Sequence, residues 1–188
     1  MKKIAILLMF LPLMAVARSV REYFLAAPMD LVGYVDETAR LDMIDYFNAG
    51  QTDRAPMSSR NVRVKLTELT DTAITLKAGD VQTISLRLLP AKSDTVIAVI
   101  ETMATPALDS KLTIYNKEWK PISKAWNAPA DKEWGKHEAS FLLTEYSLDG
   151  DTLTLIDNTA QWDEQVAPAV KQLKYVWQPK SVKFKRLK

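Results

Sequence analysis

Residues 62–67, VRVKLT, begin the part of the chain that decides the fold. Apolar and polar residues alternate through them, which is typical of a β-strand with one buried face. The alternation returns at 74–76 and at 84–88, and residues 95–100, TVIAVI, are apolar almost throughout. An apolar run of this length predicts a central strand that is covered on both faces.

Five more strands are predicted towards the end of the chain, at 112–114, 141–146, 152–156, 175–177 and 182–187. Asp149-Gly150 lies between two of them and is a strong hairpin signal. The connections between strands are too short for helical crossovers, so parallel pairing is not expected. The pattern therefore predicts an antiparallel meander of eight or nine strands.

Before the first strand, three helices are predicted at 19–27, 30–35 and 38–49. In the third helix, four apolar residues share one arc and are expected to face a core: Leu41, Met43, Ile44 and Phe47. The predicted fold class is therefore α+β, an antiparallel β-meander sheet with N-terminal helices packed on one face. A β-sandwich or a barrel with N-terminal helices is the alternative.

Residues 1–17 have the pattern of a secretory signal peptide. Lys2 and Lys3 precede an apolar run over 4–16, and Ala15-Val16-Ala17 fits a signal peptidase site. The run is too short for an ordinary transmembrane helix, and no later stretch approaches that length. We therefore expect export, with a signal peptide at 1–17 and a single α+β domain at 18–188.

Charge and cysteine content exclude several classes of function. The chain has 25 Lys and Arg against 23 Asp and Glu, and two of the lysines lie in the leader, so the predicted mature chain carries 23 of each. A chain without a basic excess gives no support to nucleic-acid binding. Because there is no cysteine, disulfides, lipid attachment at the cleavage site and cysteine-based metal or nucleophile chemistry are excluded.

Four blocks of sequence resemble a known family. They are residues 40–47 (RLDMIDYF), 66–71 (LTELTD), 109–115 (DSKLTIY) and 175–177 (YVW). In this order they are similar to a family of uncharacterised exported proteins from Bacteroidales-type bacteria, domain of unknown function 3256. The resemblance implies export and a single domain, and it supplies no activity and no catalytic residues. It also implies a glycine turn after Trp177, where this chain has Pro179-Lys180.

We predict no catalytic residue, no metal and no cofactor. His137 is the only histidine, and strand alternation would place it and Ser140 on opposite faces, against a hydrolytic triad. One histidine without cysteines cannot supply a zinc or iron site. The five glycines lie too far apart for a phosphate-binding loop.

Carboxylates leave a hydrolase open as an alternative function. Asp42 and Asp45 lie on one side of the third helix, and Glu101 ends the most apolar strand. A pair of carboxylates suffices for the hydrolysis of glycans. A solvated helix face and the first exposed residue after a strand explain the same positions more simply.

Three tryptophans are the predicted binding residues. Trp119, Trp126 and Trp134 lie in the proline-bearing segment 117–135, which has no clear periodicity. Tryptophans on a loop can stack on sugar rings or anchor a protein partner. The alternative is that they pin the loop to the end of the core. The basic C-terminal strand at 182–187 is a second possible docking edge, or simply an edge protected by lysines.

The sequence does not determine the function. The prediction is a non-catalytic exported binding or interaction protein of the bacterial cell envelope, located in the periplasm or outside the cell. Its expected partner is an envelope protein or a glycan, and not nucleic acid. A carboxylate-dependent hydrolase of glycans or peptides and a structural or assembly component of an envelope complex are the alternatives.

Overall fold

The computed structural model describes residues 18–92, 94–135, 141–162 and 170–187. The predicted signal peptide, His137 and Ser140 lie outside the described residues. The helical elements are α1 (Val20–Ala26), a 3₁₀ turn (Met29–Val32), α2 (Glu37–Asn48), a second 3₁₀ turn (Asp131–Trp134) and α3 (Thr159–Trp162). The strands are β1 (Val64–Leu69), β2 (Ala73–Ala78), β3 (Gln82–Ala91), β4 (Asp94–Met103), β5 (Asp109–Tyr115), β6 (Thr144–Asp149), β7 (Thr152–Asp157), β8 (Gln172–Gln178) and β9 (Lys183–Arg186).

The described strands form two antiparallel sheets, each in simple meander order. β1 to β5 make a five-stranded sheet, and β6 to β9 make a four-stranded sheet. Gly79 and Gly150 take left-handed backbone conformations, at φ +59° and +56°, in two of the tight connections. The predicted α+β class with an antiparallel meander is confirmed, and the meander is divided between two sheets.

The five-stranded sheet is the middle of three layers. One face packs against α1 and α2 in the first core, whose buried members include Phe24, Met43, Ile74 and Leu86. The other face packs against the four-stranded sheet in the second core, whose buried members include Leu89, Leu155, Leu173 and Trp177. The predicted placement of the N-terminal helices on one face of a sheet is therefore confirmed.

β4 takes part in both cores. Ile97 and Val99 belong to the first core. Val96, Ala98 and Ile100 belong to the second core. Because side chains of a strand alternate between faces, a strand buried on both sides must be apolar at every position. This confirms the prediction made from residues 95–100.

Side chains that bind backbone groups join the two sheets along β5 and β6. Asp109 Oδ1 accepts a hydrogen bond from the Thr144 N–H at 3.1 Å, and Ser110 Oγ accepts one from the Tyr146 N–H at 3.0 Å. β6 is an edge strand, and no described strand pairs with its outer side. The two bonds give the outward-facing N–H groups of Thr144 and Tyr146 their acceptors. From this junction β6 crosses the five-stranded sheet. The β6–β7 hairpin and Arg87 of β3 therefore line the same cavity.

The buried face of α2 differs from the predicted one at a single position. The residues on this face have the spacing i, i+3, i+4 and i+7: Arg40, Met43, Ile44 and Phe47. Leu41 lies off this stripe and is 40% exposed. The prediction that Leu41 faces the core was wrong, because Arg40 occupies the first buried position of the helix and Leu41 is rotated away from it.

Arg40 is 4% exposed, and backbone carbonyls bind its guanidinium group. Its Nη1 donates to the carbonyl oxygens of Phe24, Leu25 and Ala27 at 2.7, 2.7 and 2.9 Å. Its Nε donates to Val35 O at 3.1 Å. The carbonyls of Leu25 and Ala27 lie at the C-terminal end of α1, where carbonyl groups lack partners within the helix, and Phe24 O accepts a further hydrogen bond from the Ala27 N–H at 3.3 Å.

The final hairpin forms without the glycine that the family resemblance implied. β8 and β9 pair from Tyr175↔Arg186 to Gln178↔Lys183. Val182 completes the turn at φ +52°, a conformation that β-branched residues rarely adopt. Its N–H donates to Gln178 O at 2.8 Å, and its side chain packs against the second core.

Candidate functional site

The candidate site is a groove along the open edge of β3, and one end of it reaches the four-stranded sheet; we call it the inter-sheet groove. It consists of two cavities of about 450 Å³ and about 420 Å³. They share a wall formed by Thr72, Leu88, Leu89 and Pro90. The first cavity extends to the β6–β7 hairpin, and the second extends to Ser19 at the start of α1. Each has the volume of a typical ligand site.

An ion pair lines the first cavity. Arg87 Nη1 and Nη2 donate to the two carboxylate oxygens of Glu68 at 2.6 and 2.8 Å, and Thr75 Oγ1 donates to the same carboxylate at 2.6 Å. The hydrogen bond from Arg87, with a smaller contribution from Thr75, lowers the pKa of Glu68, although partial burial opposes this. Glu68 is therefore held in its ionised form.

Two further carboxylates stand at the hairpin end of the groove. Asp149 and Asp151 flank Gly150 and line the same cavity as Arg87. Within the described residues, neither aspartate forms an ion pair. Because Arg87 already binds Glu68, this end of the groove carries uncompensated negative charge, which favours a cationic group.

Most of the shared wall belongs to the last part of β3, which pairs with β4 on one side and has no described strand on the other. β2 pairs with β3 only as far as Arg87, and β3 continues to Ala91. Pro90 has no N–H to offer at this open edge, and Trp177 Nε1 donates to its carbonyl oxygen at 2.6 Å. The edge is therefore protected against strand addition. Leu88 is partly exposed and Pro90 is exposed, so both can contact a ligand, whereas Leu89 is 1% exposed and belongs to the second core.

Sequence reasoning missed most of the groove. Neither Asp149 nor Glu68 was predicted as a binding residue, although each lies in a stretch that the sequence singles out, and Arg87 was not identified at all. Arg87 alternates with apolar residues in β3, as any polar residue on an open strand face does. Only the registers of β1 with β2 and of β2 with β3 bring Arg87 to Glu68.

The three predicted binding tryptophans do not share one surface. Trp119 packs at the margin of the first core, with its ring centroid 5.7 Å from that of Tyr115. Trp126 packs at the margin of the second core, and Trp134 lies inside it at 2% exposure. Both rings pin segment 117–135 to that core. Trp119 and Trp126 keep part of their surface exposed, and ligand binding by them stays a prediction.

Trp126 is surrounded by other aromatic rings. It meets Tyr146, Tyr175 and Phe184 nearly at right angles, with centroid distances of 5.9, 5.1 and 5.7 Å. Burial, with the neighbouring Glu133 carboxylate, raises the pKa of Tyr175 to about 12. The site around Trp126 is thus a packed aromatic cluster, with little of its surface open to a ligand.

Trp119 is held in a strained setting. Its backbone lies in the left-handed region at φ +59°. Asn116 Oδ1 accepts from the N–H groups of Glu118 and Lys120 at 3.1 and 2.8 Å, which fixes the turn. The Trp119 Nε1 atom is buried and has no hydrogen-bond acceptor within the described part of the chain.

The acids of the hydrolase alternative do not meet in the groove. Asp42 and Asp45 are exposed on α2, Glu101 is half-buried on β4, and none of them lines either cavity. Glu68 does line the groove, but a glycosidase acid needs a raised pKa and Arg87 lowers that of Glu68. Across the described ranges, no group of three or more His, Asp or Glu residues could hold a metal ion.

No helix in the described part of the chain combines the length and apolar character needed to cross a bilayer.

Comparison with known proteins agrees with the family resemblance. A solved structure, a domain of an uncharacterized protein from Porphyromonas gingivalis W83, matches with a TM-score of 0.70 and 23% identity over 92% of this chain and 99% of that chain. At this identity the likeness shows the fold alone. No curated protein matches the chain. A family model described as a protein of unknown function (DUF3256) matches residues 13–149, which is more than half of the chain. The chain therefore belongs to the DUF3256 family of proteins of unknown function.

Proposed function

We propose that the chain is an exported, non-catalytic binding protein of the bacterial cell envelope that holds an extended peptide segment in the inter-sheet groove. One observation carries this proposal: the groove has an acidic end at residues 149–151 and an apolar wall whose accessible side chains are those of Leu88 and Pro90. Two joined cavities of this kind suit a segment with a basic side chain a few residues from an apolar one.

The acidic end accounts for the basic side chain of the ligand. Asp149 and Asp151 offer carboxylate oxygens to a lysine or arginine, and such charge-assisted hydrogen bonds are among the stronger polar contacts. Arg87 does not compete with the ligand for these two aspartates, because both of its Nη groups bind Glu68.

The lining of the groove favours a peptide over a glycan. Sugar rings are commonly bound by stacking on aromatic side chains. None of the described residues that line the two cavities is aromatic. The aliphatic residues of the shared wall suit a leucine-like side chain instead, so an envelope protein is the partner that we propose.

Fluorescence anisotropy with a labelled peptide tests the proposal. The probe is a short peptide of Lys, Leu and Ser, and the comparison peptide has Glu at each Lys position. We expect the basic peptide to bind and the acidic one not to bind. The double substitution Asp149→Asn and Asp151→Asn should weaken binding about tenfold, equivalent to about 1.4 kcal/mol.

The matched control removes two carboxylates elsewhere. Asp42→Asn with Asp45→Asn changes the net charge equally on the exposed face of α2 and should leave the affinity unchanged. Equal weakening in both double variants would show non-specific attraction and contradict the groove as the site. A different result would be that a soluble glycan binds and that its binding is lost when Trp119 and Trp126 are replaced by alanine. That result would contradict the groove as the binding site and assign binding to segment 117–135.

A further inference from the structure

A separate cavity of about 310 Å³ lies where the end of α2 meets the segment before β1. In the part of the chain that the structure describes, it shares no lining residue with the inter-sheet groove. Its lining consists of Tyr46, Asp53, Arg54, Ala55, Pro56 and Arg63, and we call it the basic pocket.

Contacts within the protein position both arginines of the basic pocket. The Arg54 guanidinium carbon lies 5.2 Å from the centroid of the Tyr46 ring, a cation–π contact. Arg63 Nη1 donates to the carbonyl oxygen of Ala55 at 3.4 Å. Both guanidinium groups are therefore placed at the cavity, and their remaining N–H donors are available to a ligand.

The charge of the basic pocket is not balanced by an ion pair. Within the described residues, neither Arg54 nor Arg63 lies within ion-pair distance of a carboxylate. Among the described residues that line the cavity, Asp53 is the one carboxylate, against two guanidinium groups. The pocket is thus net positive and presents the planar donors that match phosphate oxygens.

We propose that the basic pocket binds a phosphate group, either as free inorganic phosphate or as the phosphate monoester of a lipid headgroup. The lipid source is considered because apolar side chains flank the arginines. Met57, which pairs with Arg63 in an isolated bridge, is 52% exposed, and Val62 is 37% exposed. The shared chemistry of both ligands is a phosphate held by two guanidinium groups.

Titration of the protein by NMR tests this site, and two probes distinguish the sources. Inorganic phosphate should shift the side-chain Nε–H signals of Arg54 and Arg63. Vesicles of phosphatidylcholine with phosphatidic acid should bind the protein, and vesicles of phosphatidylcholine alone should not, if the ligand is a lipid headgroup. Phosphate binding without vesicle binding assigns the pocket to a soluble phosphate.

Two double variants distinguish phosphate binding in the basic pocket from non-specific attraction to the positive charge of the protein. Arg54→Gln with Arg63→Gln should weaken phosphate binding about tenfold. Arg21→Gln with Arg60→Gln removes the same charge from exposed arginines outside the pocket and should change it less than about twofold. Equal weakening in both variants, or arginine signals in the parent protein that do not respond to either probe, would overturn the proposal. The signals of the parent protein decide the question even if a variant fails to fold.

Discussion

Arg40 holds the helical layer together at the scale of a single side chain. Its donors reach carbonyls of α1 and of the residues that follow α1, and one reaches the approach to α2. A buried guanidinium group is costly without partners, and here backbone oxygens take the place of a carboxylate. Burial lowers the pKa of Arg40, with nearby Glu37 and Asp36 opposing this. The residue opens the block of sequence that most resembles the family.

Replacing Arg40 by methionine should destabilise the protein severely. The substitution keeps the apolar stem and leaves several buried carbonyls without donors, so we expect a loss of about 3 kcal/mol in the free energy of unfolding. Urea denaturation followed by circular dichroism measures it. Arg21→Met on the exposed face of α1 is the control and should change the value by less than about 0.5 kcal/mol. Similar values for the two variants would contradict the role of Arg40.

A second prediction concerns Trp177 and Trp119, which differ in whether the indole N–H group has a hydrogen-bond acceptor. Trp177 Nε1 donates to Pro90 O, whereas the buried Trp119 Nε1 has no acceptor within the described residues. Trp177→Phe should therefore lose about 1–2 kcal/mol more unfolding free energy than Trp119→Phe, which removes a donor that is already unpaired. Urea midpoints of the two variants measure this difference. A larger loss for Trp119→Phe would contradict the assignment of the two indole N–H groups.

At the scale of elements, the Glu68–Arg87 ion pair connects β1 to β3 across β2. The two side chains are 35% and 25% exposed, so solvent screens part of their attraction. The pKa of Glu68 is lower in the folded protein than in the unfolded chain. A carboxyl group with a lowered pKa stabilises the fold above its unfolded pKa, and this contribution disappears as the pH falls through its folded pKa.

Glu68→Gln should therefore have a pH-dependent effect. Near neutral pH we expect a loss of about 1 kcal/mol in unfolding free energy. The difference from the parent protein should shrink below about pH 4.5, where Glu68 becomes protonated in the unfolded chain, and should disappear once the pH has also fallen below the lowered pKa of the folded protein. Urea titrations at several pH values measure it, with Glu118→Gln on an exposed turn as the control. A difference that stays constant down to about pH 3 would contradict this linkage.

At the scale of the whole molecule, the predicted leader ends just before α1, the first helix that the structure describes. Ser19 caps α1, since its N–H donates to the Glu22 carboxylate at 2.8 Å and its Oγ accepts from the Glu22 N–H at 3.4 Å. Helix α1 begins at Val20, three residues after the proposed cleavage site. Removal of residues 1–17 thus leaves the capping box of α1 intact.

Export predicts a mature chain that begins at Arg18. Intact-mass measurement of protein from the periplasmic fraction should show the loss of residues 1–17. Replacing Ala15 and Ala17 by arginine should block cleavage, because the peptidase requires small residues there. Val16→Leu, between those two positions, is the control and should be processed normally. Recovery of the full-length parent chain from the cytoplasm would contradict the proposal.

Much of the architecture could be predicted, because it depends on local patterns. The alternation at 62–67, the apolar run at 95–100 and the Asp149-Gly150 turn each determine one strand or hairpin. The division into two sheets corresponds to the sandwich alternative, and the sequence could not decide in its favour, since the division depends on how β6 packs across distant strands. The groove was missed for the same reason: Glu68 and Arg87 are 19 residues apart and meet only through strand register.

The position of β4 between two separate cores has an evolutionary consequence. A change among the helices can be compensated within the first core, and a change in the outer sheet within the second core. The helical layer and the outer sheet are therefore free to diverge at different rates. Ile97 packs in the first core and its neighbour Ala98 packs in the second. Substitutions along β4 must therefore preserve the packing of both cores. Among distant relatives, β4 is the strand in which we expect the slowest change.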